Sequence, residues 1–159
     1  EIPDRCFQDD NALLQRIDIP EGVERIGRDA FAGCTHLESI SLPAALQALP
    51  ADMFRGCTGL ISATLPAKLK AVNLGAFMDC TALRSITLPD TLTTIGQSAF
   101  SGCTGLKKLT IPLAVSTIGP TAFSGCTGLT INCRAASQPA GWNSKWNPSG
   151  CTVKWGVKD

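Results

Sequence analysis

The chain has 159 residues, a length that fits one domain with a sizeable core. Hydrophobic residues make up 44% and charged residues only 17%, which excludes a disordered tail or a heavily solvated surface protein. Lys and Arg total 14 against 13 Asp and Glu, a net charge of +1, so the basic excess that a nucleic-acid binder needs for counterion release is missing.

No apolar run approaches the roughly 18 residues of a membrane span. Residues 1–4 lack the basic segment followed by an apolar one that marks a signal peptide. The chain opens partway through a repeat. A fragment or a processed form is therefore expected, and the missing leader says nothing of the compartment.

The chain repeats every 23 residues. Cysteines recur at Cys34, Cys57, Cys80, Cys103 and Cys126. Phenylalanines keep the same step at Phe31, Phe54, Phe77, Phe100 and Phe123, and prolines at Pro20, Pro43, Pro66, Pro89 and Pro112. A half coil, residues 2–16, comes first and keeps Ile2, Cys6, Phe7 and Leu14. Coils of 17–39, 40–62, 63–85, 86–108 and 109–130 follow.

Within a coil, Ile40-Ser41-Leu42 alternates in, out, in, the period of a strand, with Leu37 as a further core position upstream. Pro43 ends the strand because it has no N–H for the ladder. Leu46 and Leu49 turn inward on the far side, and a compact turn carries Met53, Phe54 and Cys57 into the core. That turn is too short for a regular α-helix and predicts a single helical turn or a 3₁₀ piece. The glycine of the Ile-Gly pair (Gly27, Gly96, Gly119) becomes Pro50 and Asn73 in the second and third coils. Proline cannot take a positive φ, so the site is not expected to need a left-handed backbone.

One coil cannot bury its own apolar side, but stacking about 4.8 Å apart builds a continuous column of Ile, Leu, Phe and Cys. The expected fold class is α/β, mostly short parallel β-strands. It is a right-handed solenoid of five 23-residue coils over residues 1–130 with an N-terminal half coil. Residues 131–159 form a Trp-rich C-terminal cap of the same domain.

The segment Ile86-Thr87-Leu88-Pro89, continuing through Ile95-Gly96, Ala99-Phe100 and Gly102-Cys103-Thr104-Gly105-Leu106, resembles the signature of the BspA-like (treponemal-type) leucine-rich-repeat family of surface proteins. The likeness runs from Ile2 to Leu129, and the tail with Trp142, Trp146, Cys151 and Trp155 resembles the closing segment of bacterial members. The resemblance implies a secreted or cell-surface protein that contacts host or neighbouring-cell proteins, with no catalytic residues and no cofactor. Departures are Ala63 at a core strand position, Pro50, Asn73 and the missing ladder cysteine of the half coil. They question local packing and leave the fold in place.

Eight cysteines would ordinarily suggest a disulfide framework. Neighbouring ladder cysteines, however, point the same way about 4.8 Å apart, whereas a disulfide needs facing Cβ atoms roughly 3.5–4.5 Å apart. The ladder reads as buried free thiols, and no CxxC spacing gathers zinc ligands. Cys133 and Cys151 stand apart and bracket the Trp-rich loop. Two readings are open: a disulfide that closes the loop, or Cys133 as the core residue of the next strand.

His36 is the single histidine and reads as an exposed, inert loop residue, so base-assisted nucleophiles and His-based metal motifs lack their second member. Gly-Cys-Thr-Gly recurs as a repeat corner without the Lys of a phosphate loop. Asp9-Asp10 reads as a solvated acidic pair. No catalytic constellation results, and an enzyme is not expected. Trp142, Trp146 and Trp155 read as a cover for the last coil, with carbohydrate stacking as the other reading.

The candidate binding face is the concave strand face, with Glu38, Ser41, Ile61, Thr64, Arg84, Thr87, Lys107, Lys108 and Thr110 pointing outward. Its charge runs from acidic to basic along the coils. Ile61 and Leu113 are apolar where other coils are polar. Ile61 is either a partner anchor or the sign of a local shift beside Ala63. The expected role is a non-catalytic adhesion-type module, extracellular or at a cell surface, with a protein or peptide ligand. The alternatives are a spacer within a longer repeat protein and carbohydrate binding through the Trp-rich end. Weak association of two copies through the open first coil is also expected.

Overall fold

The structure is a computed structural model that describes residues 1–9 and 14–158. Among these residues the strands are β1 (Arg16–Asp18), β2 (Ser39–Ser41), β3 (Ala48–Leu49), β4 (Ser62–Thr64), β5 (Ala71–Val72) and β6 (Ser85–Ile86). They continue with β7 (Thr94–Ile95), β8 (Lys108–Ile111), β9 (Thr117–Ile118), β10 (Thr130–Cys133) and β11 (Thr152–Lys154). Every pairing is parallel and joins successive coils.

One face carries β1-β2-β4-β6, and β8-β10-β11 carries it onward where β6 lies beside β8. A second sheet, β3-β5-β7-β9, runs along another side, where the sequence predicts only inward leucines. Two-residue strands such as Ala71–Val72 leave too little alternation to reveal a strand without its neighbours.

The solenoid of short parallel strands is the expected one, and only the helical turn expected on its third side is corrected: no helix or 3₁₀ piece occurs among the described residues, and strands and turns build the whole coil. Each turn holds two left-handed residues, which interrupt any helical run. The first site is taken by Asp29, Asp52, Gly75, Ser98 and Thr121, and the second by Gly33, Gly56, Asp79, Gly102 and Gly125. The amide groups between them divide their bonds. Asp29, Phe31 and Gly33 donate across to Ala51, Met53 and Arg55 of the next coil, whereas Ala32 and Cys34 donate back to Asp29 and Phe31. A Cβ on Gly102 would also strike the Asp79 carboxylate of the preceding coil, so the site needs glycine for space as well as for φ. Gly96 has an ordinary negative φ, as Pro50 at the equivalent site implies. It is small because a Cβ there would run into the backbone of Asn73 and Leu74.

The interior is a set of columns. Phe7, Phe31, Phe54, Phe77, Phe100 and Phe123 stack with ring centroids 5.2, 5.7, 5.3, 5.4 and 5.6 Å apart. Beside them the thiols of Cys34, Cys57, Cys80, Cys103 and Cys126 donate to the carbonyls of Phe7, Phe31, Phe54, Phe77 and Phe100, at 3.0–3.1 Å. A small apolar residue with a weak donor suits that place. Near the first turns Asp29 is buried, with guanidinium groups of Arg5, Arg28 and Arg55 at 3.8, 3.4 and 3.7 Å.

Residues 131–158 are a further, irregular coil. β10 and β11 take the strand positions, Ile118 bridges to Trp142 on the second side, and Trp146 sits 23 residues after Phe123. Trp146 meets Phe123 edge-on at 85° and 5.7 Å, so the parallel stack ends against a ring turned across it. Trp142 packs on Trp146 and donates its indole N–H to the carbonyl of Val115 at 3.0 Å.

The disulfide reading for Cys133 and Cys151 is corrected, since both are free thiols. Cys133 lies fully buried in β10 in register with Ile111, the core-residue alternative. Cys151 joins the ladder, with its sulfur 3.4 Å from the carbonyl oxygen of Cys126 and 3.9 Å from that of Phe123. The two thiols thus serve different columns.

Two outcomes follow from these columns. Phe77→Ala empties the middle of the ring stack and should lower stability by about 3–5 kcal/mol, read by denaturant unfolding. An unchanged midpoint would contradict a shared interior. The second concerns the thiols. Burial, aided by neighbouring Cys34, pushes Cys57 up to about 12. Burial likewise raises Cys133 to about 12 and Cys126 to about 11. The folded state therefore holds these protons more tightly than the unfolded chain, and the stability they contribute is complete below about pH 8.5 and is lost as pH rises toward 12. Thiol labelling at pH 8 should modify exposed Cys6 at once and Cys57, Cys80 and Cys103 only on unfolding. Equal native rates would argue against the buried ladder.

Candidate functional site

The strand face is polar because successive residues of a strand point to opposite sides. Along β2, Ile40 is buried while Ser41 is exposed, and along β4, Ala63 is buried while Thr64 is exposed. The in-register ladders therefore place equivalent residues of successive coils in rows across the strands.

All nine candidate residues lie on this face and line three adjoining open grooves. Glu38, Ile61, Arg84 and Lys107 line the largest, of about 770 Å³, which runs along the coils just ahead of the strands. Thr87, Lys108 and Thr110, again with Arg84, line a second of about 400 Å³ between β6 and β8. Ser41 and Thr64 line a shallow third of about 140 Å³ over β2 and β4. Thr110 is half-buried and the other eight are exposed.

Ile61 is 42% exposed, and β4 pairs in register on both sides, Ile40 with Ala63 and Ala63 with Ile86. The strand is not shifted, so the small Ala63 is accommodated in the core and Ile61 stays outside. Lys107 is less free than its sequence position suggests. Its ammonium donates to the carbonyls of Thr104 at 2.7 Å and Thr127 at 3.2 Å, which ties two corners together. Arg134, which the sequence reading did not single out, lines the second groove and pairs with Asp90 at 2.7 Å, 44 positions away. Nothing local in the sequence signals that pair; it needs the coil stacking to bring two distant corners together.

His36 is exposed as expected, but it also lines the largest groove, near Glu38. Leu113 is 70% exposed at the bend after β8. Of the Asp9-Asp10 pair, Asp9 occupies a left-handed turn position and Asp10 lies outside the described residues. Trp142 and Trp146 are 4% and 5% exposed, so their surfaces are spent on the core, and Trp155 alone of the three is exposed. Among the described residues no three His, Cys, Asp or Glu side chains gather where they could hold a metal ion. No helix long and apolar enough to cross a membrane occurs among them.

Comparison with known proteins gives the same repeat. The profile of the BspA type leucine rich repeat region matches residues 1–130 in 6 copies, the half coil and five full coils counted here. The structure resembles a T. pallidum leucine-rich-repeat protein at 31% identity and a TM-score of 0.69, over 74% of this chain and 58% of that one. It resembles a leucine-rich-repeat protein from Eubacterium ventriosum at 31% identity and a TM-score of 0.65, over 84% of this chain and 34% of that one. A leucine rich cell surface protein from Faecalibacterium prausnitzii, at 24% identity, shares the fold with a TM-score of 0.64 over 99% of this chain and 51% of that one. The chain thus spans 58% of the treponemal protein's length and less of the others. Among curated proteins none matches it. With the repeat profile covering residues 1–130 and the same coil visible in the strands, rings and thiols, this chain belongs to the BspA-type leucine-rich-repeat family.

Proposed function

We propose that the chain is a non-catalytic binding module that uses its strand face to hold a protein or peptide, displayed at a cell surface or secreted. The observation that carries this reading is the meeting of three open grooves on one polar face, where Glu38, Ile61, Arg84 and Lys107 differ at one equivalent position while the interior repeats. A broad shallow face suits a chain segment or a folded surface better than a small molecule, which needs a pocket that encloses most of its area. Exposed Ile61, flanked by polar and charged groups, suits an anchor that loses water on contact. Membership of the repeat family and the likeness to a leucine rich cell surface protein support the display part of this reading.

A random peptide library selected on the immobilised protein tests the reading. Binders should lose about tenfold or more in affinity, about 1.4 kcal/mol, to the variants Ile61→Ala and Arg84→Glu. They should keep their affinity for Lys68→Glu, which alters the groove beside β3. Equal binding to all three would remove the strand face as the site and leave a spacer role.

A further inference from the structure

The charges of the largest groove deepen that reading and rest on it. We propose that Glu38, Ile61 and Arg84 form one subsite. It takes a peptide segment in the polyproline II conformation that carries a basic and an acidic side chain three residues apart.

The three residues hold the same place in successive coils. A relay of backbone bonds shows it: the Glu38 N–H donates to Gln15 O at 3.1 Å, Ile61 to Glu38 O at 2.8 Å and Arg84 to Ile61 O at 3.0 Å. All three side chains are exposed and line the same groove. Among the described residues neither the Glu38 carboxylate nor the Arg84 guanidinium has an ion pair or a hydrogen bond. Some other cations are held by the protein itself: Arg28 meets Asp52 at 3.1 Å, and Arg134 meets Asp90 at 2.7 Å. The row has definite ends as well. Gln15 is neutral on one side, and Lys107 on the other is held by the corner carbonyls of Thr104 and Thr127.

Two coils separate Glu38 from Arg84, roughly 10 Å at the parallel-strand spacing, with Ile61 between them. The two charges are thus placed to meet a partner and not each other. A segment that answers both must present opposite charges on one side at about that separation. A β-strand repeats its side every two residues, about 7 Å, or every four, about 13 Å. Polyproline II repeats its side every three residues, about 9.3 Å, which fits the row, and its preformed shape loses little entropy on binding. The aliphatic stem of the basic side chain would then cross exposed Ile61.

The experiment uses labelled peptides with a Lys-Pro-Pro-Glu centre and measures anisotropy at low salt, where exposed charges are least screened. Lys-Pro-Pro-Glu should bind at least about fivefold more tightly than Lys-Pro-Glu or Lys-Pro-Pro-Pro-Glu. Reversal of the order to Glu-Pro-Pro-Lys should change little, because the segment can lie in either direction. The protein variant Glu38→Lys should prefer Glu-Pro-Pro-Glu to Lys-Pro-Pro-Glu, and its melting temperature should stay unchanged because the side chain is exposed. Equal affinity across the spacings, or no switch in Glu38→Lys, would overturn the subsite. If library-selected peptides still need Ile61 and Arg84 while Lys-Pro-Pro-Glu does not bind, the charge-pair subsite fails and the binding face stands. If neither class of peptide binds through the face, both fail.

Discussion

Successive coils must keep the spacing of a parallel ladder, about 4.8 Å, on every side of the solenoid at once, and this constraint governs the rest of the molecule. The strands on both sides satisfy it directly through their backbone bonds. The turn side satisfies it by sending alternate amides to the next coil, which two left-handed residues per turn make possible. Inside, ring centroids 5.2–5.7 Å apart are slightly wider than the ladder, so the phenylalanines stack without compression. A residue much larger than cysteine at the ladder position would have to displace the carbonyl of the preceding coil's phenylalanine, which now accepts the thiol.

The same constraint divides the chain into residues that repeat and residues that are free. Interior positions must be nearly identical from coil to coil because each packs on its own copies. Outward side chains do not pack on their own copies, so Gln15, Glu38, Ile61, Arg84 and Lys107 can differ at one equivalent place. Variation along such a row costs the fold little and sets Glu38 on one side of Ile61 and the basic Arg84 and Lys107 on the other. Their separate fates follow from neighbours. Lys107 has two carbonyls within reach and is tied down, whereas Glu38 and Arg84 remain open to a partner.

A solenoid stacked from identical units exposes an apolar surface wherever stacking stops. In the Trp-rich coil the rings differ from the column in bulk and orientation. Trp146 turns across the phenylalanine column, Trp142 covers the second side, and both indole N–H groups find acceptors, in Val115 and Gln138. The coil remains part of the ladder through β10, β11 and Cys151 and is thus a variant of the repeat.

The 23-residue period, the apolar columns, the free ladder thiols and the strand at each Ile-x-Leu were all legible in the sequence, because each is a local pattern copied in register. Even Trp146 carried a signal, lying one period after Phe123. The tertiary structure alone decided what depends on contact between coils. It replaced the expected helical turn with paired left-handed residues, since their use is to aim amides at a neighbour. It formed the second sheet from strands of two residues, which exist only as ladders. It settled the place of Cys151, kept β4 in register beside Ala63, and joined Arg134 to Asp90 across 44 positions. Periodicity is written along the chain, whereas the partner of a given amide, thiol or charge is set by which surfaces the stacking brings together.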